Sequence, residues 1–165
     1  MARGTIPAEV LFIGEAPGVS EDILGRPFVG PACHLLDRII STAIAHNGRS
    51  VTYAITNLVA CFPRTAKEAK VNEPPPEAIK ACRLRLVEFF RCCRPQLIVT
   101  LGKLAKQNLP ASIASPTSSG AACLALVHPA AILQADISQR GLLVQRSILD
   151  LTDALETMRE NSAPF

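Results

Sequence analysis

Val10 to Gly30 reads VLFIGEAPGVSEDILGRPFVG. Its first four residues, Val10 to Ile13, are apolar without a break and are followed by Gly14, the pattern of a strand buried on both faces that ends in a sharp turn. Gly14, Pro17, Gly18, Gly25, Pro27 and Gly30 then punctuate a polar segment too rigid for a floppy linker and too rich in breakers for a helix. The segment is also longer than an ordinary strand-to-helix connection, which needs only a few residues. It is therefore predicted to wall a site.

Working outward, Ala32 to Ala45 carries Leu35, Leu36, Ile39, Ile40 and Ile44 at helical spacing, and Asn47-Gly48 ends that helix. Val51 to Val59 reads as a second strand with Thr56-Asn57 near its end. Phe62 to Pro75 reads as a charged, proline-bearing loop. Pro76 to Cys92 follows as a helix with Ile79, Leu86, Val87 and Phe90 inward. Leu97 to Leu101 (LIVTL) is a third buried strand, closed by Gly102 and followed by a short helix from Lys103 to Leu109. Pro110 to Gly120 reads as a loop. Cys123 to Val127 is a fourth strand broken by His128-Pro129. A short helix through Ile132-Leu133 and a longer one from Gly141 to Met158 complete the chain. Apolar runs alternating with helical patterns predict a parallel sheet with helices on both faces.

The 165 residues are predicted to form a single domain, 1–165, of ordinary size. An apolar fraction of 48% against 19% charged residues marks a globular chain. No run is long and apolar enough for a membrane span and no secretory signal is read at the start, so a cytoplasmic location is expected, with no membrane partner. The net charge of +3 is too mild to announce a nucleic-acid binder by itself. Six cysteines (Cys33, Cys61, Cys82, Cys92, Cys93 and Cys123) include no C-x-x-C pair, and disulfides are not expected in that setting. Cys92, Cys93 and Cys123 read as small hydrophobes.

Three strand ends gather at one sheet edge, namely Gly14 to Gly18, Thr56-Asn57 and His128-Pro129, and such convergence is how α/β sheets build a ligand site. Carboxylates at Glu15, Glu21 and Asp22, the Asn57 amide, the Phe28 ring and the His128 imidazole would stand there. An asparagine carries both donors and an acceptor and can match the alternating edge of a pyrimidine. A phenylalanine face can stack on the base, and a neutral histidine can donate to an oxygen that gains negative charge as a base leaves its sugar. Carboxylates can stabilise a cationic sugar or orient a water, while backbone amides of the Gly-Pro turns can hold phosphates.

These residues resemble a known family, the uracil-DNA glycosylase superfamily, and most closely its family-4 group. The motifs are GEAPG (Gly14 to Gly18), the run from Glu21 to Ala32, ITN (Ile55 to Asn57), LIVTLG (Leu97 to Gly102) and VHPAAIL (Val127 to Leu133), in the family's order. The resemblance implies a three-layer α/β/α sandwich on a four-stranded parallel sheet. It implies hydrolysis of the N-glycosidic bond of deoxyuridine in DNA during base-excision repair, by a monomer, on a base flipped out of the stack. It makes Glu15 and His128 catalytic, Glu15 through the water and His128 through the departing uracil. Gly14, Ala16, Pro17, Gly18, Phe28 and Asn57 become substrate-binding, with Phe28 stacking and Asn57 reading the base. Gly30, Pro129 and Ala130 fall in DNA-facing positions, with the loop from His128 to Gln134 as the wedge. Related families place the water-activating acid one step later, where this chain has Ala16.

Family-4 enzymes resemble ferredoxins in holding a 4Fe-4S cluster on four cysteines, two of them in a C-x-x-C ahead of the first strand. That pair is missing here. Cys61 and Cys82 match the second pair across a longer gap, as a remnant of the site, so no complete cluster and no other cofactor or metal is expected unless an upstream pair is absent from this chain or Cys92 or Cys93 substitutes. Cys33 replaces a glycine usual after Pro31-Ala32, adding a side chain beside the DNA-facing loop, and the loop after Cys61 lacks the KRRIH run of relatives that trap DNA covalently. Two other classes fit the same residues: a nucleic-acid binder without activity, and a small-molecule nucleotide-binding α/β domain.

Overall fold

A computed structural model of the chain describes residues 2–63, 73–115 and 120–162. Among these, five strands form one sheet: β1 (Ala2–Gly4), β2 (Val10–Gly14), β3 (Tyr53–Asn57), β4 (Leu97–Leu101) and β5 (Ala122–Leu126). The helices are α1 (Val19–Leu24), α2 (Pro31–Asn47), α3 (Pro76–Cys93), α4 (Lys103–Gln107), α5 (Ala111–Ala114), α6 (Pro129–Gln134) and α7 (Ile137–Ser162). The strands lie in the order β1-β3-β2-β4-β5. The four predicted strands pair in parallel, with Val10 opposite both Tyr53 and Leu97.

The sheet therefore has one strand more than the four expected, and the extra one runs the other way: β1 pairs antiparallel with β3, with Arg3 opposite Ile55. Ala-Arg-Gly carries no apolar alternation that would mark a strand. Its Arg3 forms an ion pair with Asp37 of α2, tying this edge to the helix layer.

Alternation along each strand builds two cores and three layers. Val10, Phe12, Leu97, Val99 and Leu101 face α2 and α7 through Leu36, Ile39, Ile40, Leu151 and Leu155. Leu11, Ile13 and Ile98 face the other way, onto Leu86 and Cys93 of α3, Ala105 of α4 and Ile113 of α5. This is the sandwich expected, since a strand buried on both faces needs a helix layer on each.

Four local readings change. The segment after Gly14 does contain a helix, α1, because Glu21 closes a capping box on the Gly18 N–H. The segment from Pro110 begins with a helical turn, α5, and residues 116–119 of the expected loop lie outside the described residues, as do 64–72 of the loop after Phe62. Helix α7 starts at Ile137, so Gly141 sits inside it and not at its start. Cys123, read as a small apolar filler, is exposed on edge strand β5, while Cys93 is fully buried.

Candidate active site

The sheet order creates a switch point between neighbours β2 and β4: from β2 the chain moves to β3 on one side, and from β4 to β5 on the other. Ligands of open α/β sheets bind at such a point, outside the carboxyl ends of the strands. Main-chain bonds fix the loops there, from Leu58 N to Gly14 O at 2.9 Å, Val59 N to Glu15 O at 3.2 Å and Gly102 N to Leu126 O at 2.9 Å.

Two glycines form the floor. A Cβ on Gly14 would stand 2.4 Å from Asn57 Oδ1, so the amide of β3 reaches across onto β2. Gly102 has φ +89°, and a Cβ there would meet Glu15 Oε1 at 2.7 Å and His128 Cβ at 3.1 Å. The Glu15 carboxylate and the His128 side chain therefore lie against the same backbone position. The sequence reading marked Gly102 only as the end of a strand; its likeness to Gly14, a glycine closing an unbroken apolar run, was the available signal.

His128 is the N-cap of α6, and its Nδ1 accepts the Ala130 N–H at 3.1 Å. An accepting Nδ1 carries no proton, so the neutral ring holds its proton on Nε2 and can donate from there. Burial pushes the imidazole pKa down, which favours this neutral form. Burial pushes the Glu15 carboxyl up, and the charge of Glu73 pushes the same way.

Glu21 organises the wall. Buried itself, it accepts from Gly18 N at 3.0 Å through one oxygen and from Val29 N and Gly30 N, both at 2.8 Å, through the other. Burial raises its pKa, but the bonds from Gly30, Val29, its own N–H and Gly18 outweigh this and leave the carboxyl below its ordinary range. Three of the amides in these turns, those of Gly18, Val29 and Gly30, are thus occupied from within the protein. Between these bonds Phe28 adopts φ +56°, a strained value for a bulky residue, while Arg3 Nη1 holds its carbonyl at 3.1 Å. Phe28 is buried as a member of the core cluster that also includes Leu101, Leu126 and Ile132. Cys33 is half-buried with its Sγ 3.8 Å from Glu21 Oε1, and burial and the Glu21 charge push its thiol up to about 12, so it is no nucleophile.

The other expected positions line the same edge. Ala16 is half-buried and Pro17 buried; Gly18 caps α1 and Gly30 caps α2. The predicted wedge from His128 to Gln134 is mostly helix α6, in which Pro129 and Ile132 are buried while Ala131 and Gln134 are exposed. Arg85, unnoticed in the sequence, donates to the Asn57 carbonyl from α3. It falls on the inward stripe of Cys82, Leu86, Phe89 and Cys93, where a cation is out of character.

The donor set was tested against the cluster that the family-4 resemblance implies. Cys61 is exposed and Cys82 half-buried. Among the described residues no group of three or more His, Cys, Asp or Glu converges to hold a metal ion, whereas such a cluster takes four thiolates. The described cysteines do not fit it. No helix among the described residues is long and apolar enough to cross a membrane.

Fold and site together define an α/β protein that gathers a carboxylate, an amide and an imidazole at the switch point of its sheet. The chain belongs to the Uracil DNA glycosylase superfamily, whose family profile matches residues 1–152. It is 42% identical over 101 residues to a type-4 uracil-DNA glycosylase of Saccharolobus solfataricus, covering 61% of this chain and 44% of that protein. Over 104 residues it is 38% identical to the type-4 uracil-DNA glycosylase of Archaeoglobus fulgidus, covering 63% and 48%. Over 105 residues it is 33% identical to that of Thermotoga maritima, covering 64% and 50%. The chain spans about half the length of these curated relatives.

Proposed function

We propose that the chain is a uracil-DNA glycosylase of base-excision repair, acting in the cytoplasm as a single-domain monomer on uracil flipped out of DNA. The observation that carries this reading is the meeting of Glu15 and His128 at Gly102, with the Asn57 amide one strand away over Gly14. Family membership and the type-4 relatives support it.

In this reading the C1′–N1 bond breaks and its electron pair leaves with the base. The Nε2–H of His128 donates to the uracil oxygen on which the negative charge gathers. Water adds to the cationic C1′, and Glu15, ionised, takes its proton. Asn57 donates to O4 and accepts from N3–H of uracil; cytosine presents the reverse pattern and is rejected. Phe28 stacks on the ring. Gly14, Ala16, Pro17 and Gly18 line the base pocket, and Gly30, Pro129 and Ala130 face the DNA. With Glu21 engaging the amides of Gly18, Val29 and Gly30, phosphate contacts fall to other groups.

An oligonucleotide with one uracil, treated with the protein and then with alkali, should be cut at that position, and Asn57→Ala should lose the cut. Binding without an abasic site would replace this reading with a non-catalytic nucleic-acid binder; nucleotide affinity without DNA affinity would replace it with a nucleotide-binding domain.

A further inference from the structure

Arg85 lies in the interior of α3, pointing at the end of β3. Its guanidinium donates to Asn57 O and, at 3.2 Å, to Thr56 Oγ1, and approaches Leu58 O at 3.4 Å. All three acceptors are neutral. Among the described residues Arg85 has no carboxylate partner, and its Nε is buried without a hydrogen bond. A half-buried cation is usually compensated by an anion, because desolvation is costly. Among the described residues the positive charge is left uncancelled, directly behind the residue that the proposed reading assigns to the base.

We propose that Arg85 is a positioning residue for base release: it fixes the strand end that presents Asn57 and sets a permanent positive charge behind the base, where the departing uracil becomes negative. The inference rests on the uracil-excision reading above. A fixed charge in a partly dry site acts on charge that develops in the transition state without reorganising, and it matters most when the leaving group is poor.

That dependence supplies the test. Single-turnover release of uracil is compared with release of 5-fluorouracil, whose fluorine makes N1 a better leaving group, for the parental protein, Arg85→Gln and Arg85→Lys. Arg85→Gln should slow uracil release about tenfold and 5-fluorouracil release only about twofold. Arg85→Lys, which keeps the charge, should restore the parental ratio between the two bases. The ratio is read within one preparation, so partial unfolding of a variant cancels. Equal losses for the two bases in Arg85→Gln, no loss for either, or a ratio in Arg85→Lys no better than in Arg85→Gln would overturn the inference. A parental protein that releases neither base would refute the reading of the site itself, a different and recognisable outcome.

Discussion

Gly102→Ala tests whether the site depends on one backbone position. Gly102 has φ +89° and ψ 170°, a region open in practice only to glycine. Alanine there carries a strain of about 1–3 kcal/mol. Its Cβ would also stand 2.7 Å from Glu15 Oε1 and 3.1 Å from His128 Cβ. The carboxylate can swing away at little cost in stability, but His128 is held by the Ala130 N–H at the start of α6 and has less freedom. Strain and overpacking together should cost about 2–4 kcal/mol, a fall in Tm of roughly 4–16 °C for a chain of this size. Excision should suffer more than stability, because a displacement of about 1 Å in a reacting group costs on the order of a hundredfold. Thermal melts give the first quantity, and single-turnover excision well below the variant's Tm gives the second. Gly141→Ala is the control: nothing lies within 4 Å of its Cβ position in α7, and it should be neutral or stabilising. A folded Gly102→Ala protein that excises uracil at the parental rate would refute the assignment of Glu15 and His128 to one site.

Excision should need Glu15 ionised and His128 neutral, so the rate should fall on the acid side. Burial and Glu73 raise the Glu15 pKa while burial lowers that of His128, so both groups shape this limb; Glu73→Gln should move the Glu15 step to lower pH, and a pH–rate profile of the two proteins decides this. Glu21 should contribute to acid stability. Its native pKa is lowered, so its contribution is full above the unfolded value, about 4.3, and disappears as pH falls through the native value. Glu21→Gln should therefore lose about 2–3 kcal/mol at neutral pH, a gap that closes in strong acid when measured by urea unfolding. Hypoxanthine in the same oligonucleotide should be released more slowly than uracil in a side-by-side gel assay, because its two-ring base must enter a site that the uracil reading assigns to one pyrimidine ring.

Much of this was legible in the sequence where burial left a simple pattern. The unbroken runs Val10–Ile13 and Leu97–Leu101 marked central strands because both faces are covered, as their near-zero exposure shows. The Val51–Val59 strand was read too long because Leu58 and Val59 are also buried, yet their N–H groups bond to Gly14 O and Glu15 O across the loop. Helix α1 escaped because Ile23 and Leu24, 76% and 60% exposed, form no inward stripe; a carboxylate holds the wall together, which periodicity does not record. Gly141 suggested a helix start by its low propensity, a cost of about 1 kcal/mol that α7 carries through its packing on α2. Glu15, Asn57 and His128 were found because each follows or ends a readable strand. Arg3 and Arg85 were not, because their partners, Phe28 O and Asp37 for the one and Thr56 Oγ1 and the Asn57 carbonyl for the other, lie 25 or more residues away in the sequence.

The geometry of the floor also limits what can lie on it. Asn57 ends β3 and His128 follows β5, and these strands are separated by β2 and β4, so their ends stand about 14 Å apart by ordinary strand spacing. Each side chain reaches one strand inward, Asn57 over Gly14 and His128 over Gly102. The two side chains thereby come from a separation of three strands to positions over the neighbouring strands β2 and β4. In the uracil reading both then bond to one ring that lies beyond the strand ends. In the uracil reading, strand order and two glycines thus bring both polar contacts to one base, and the choice of uracil over cytosine falls to the amide of Asn57.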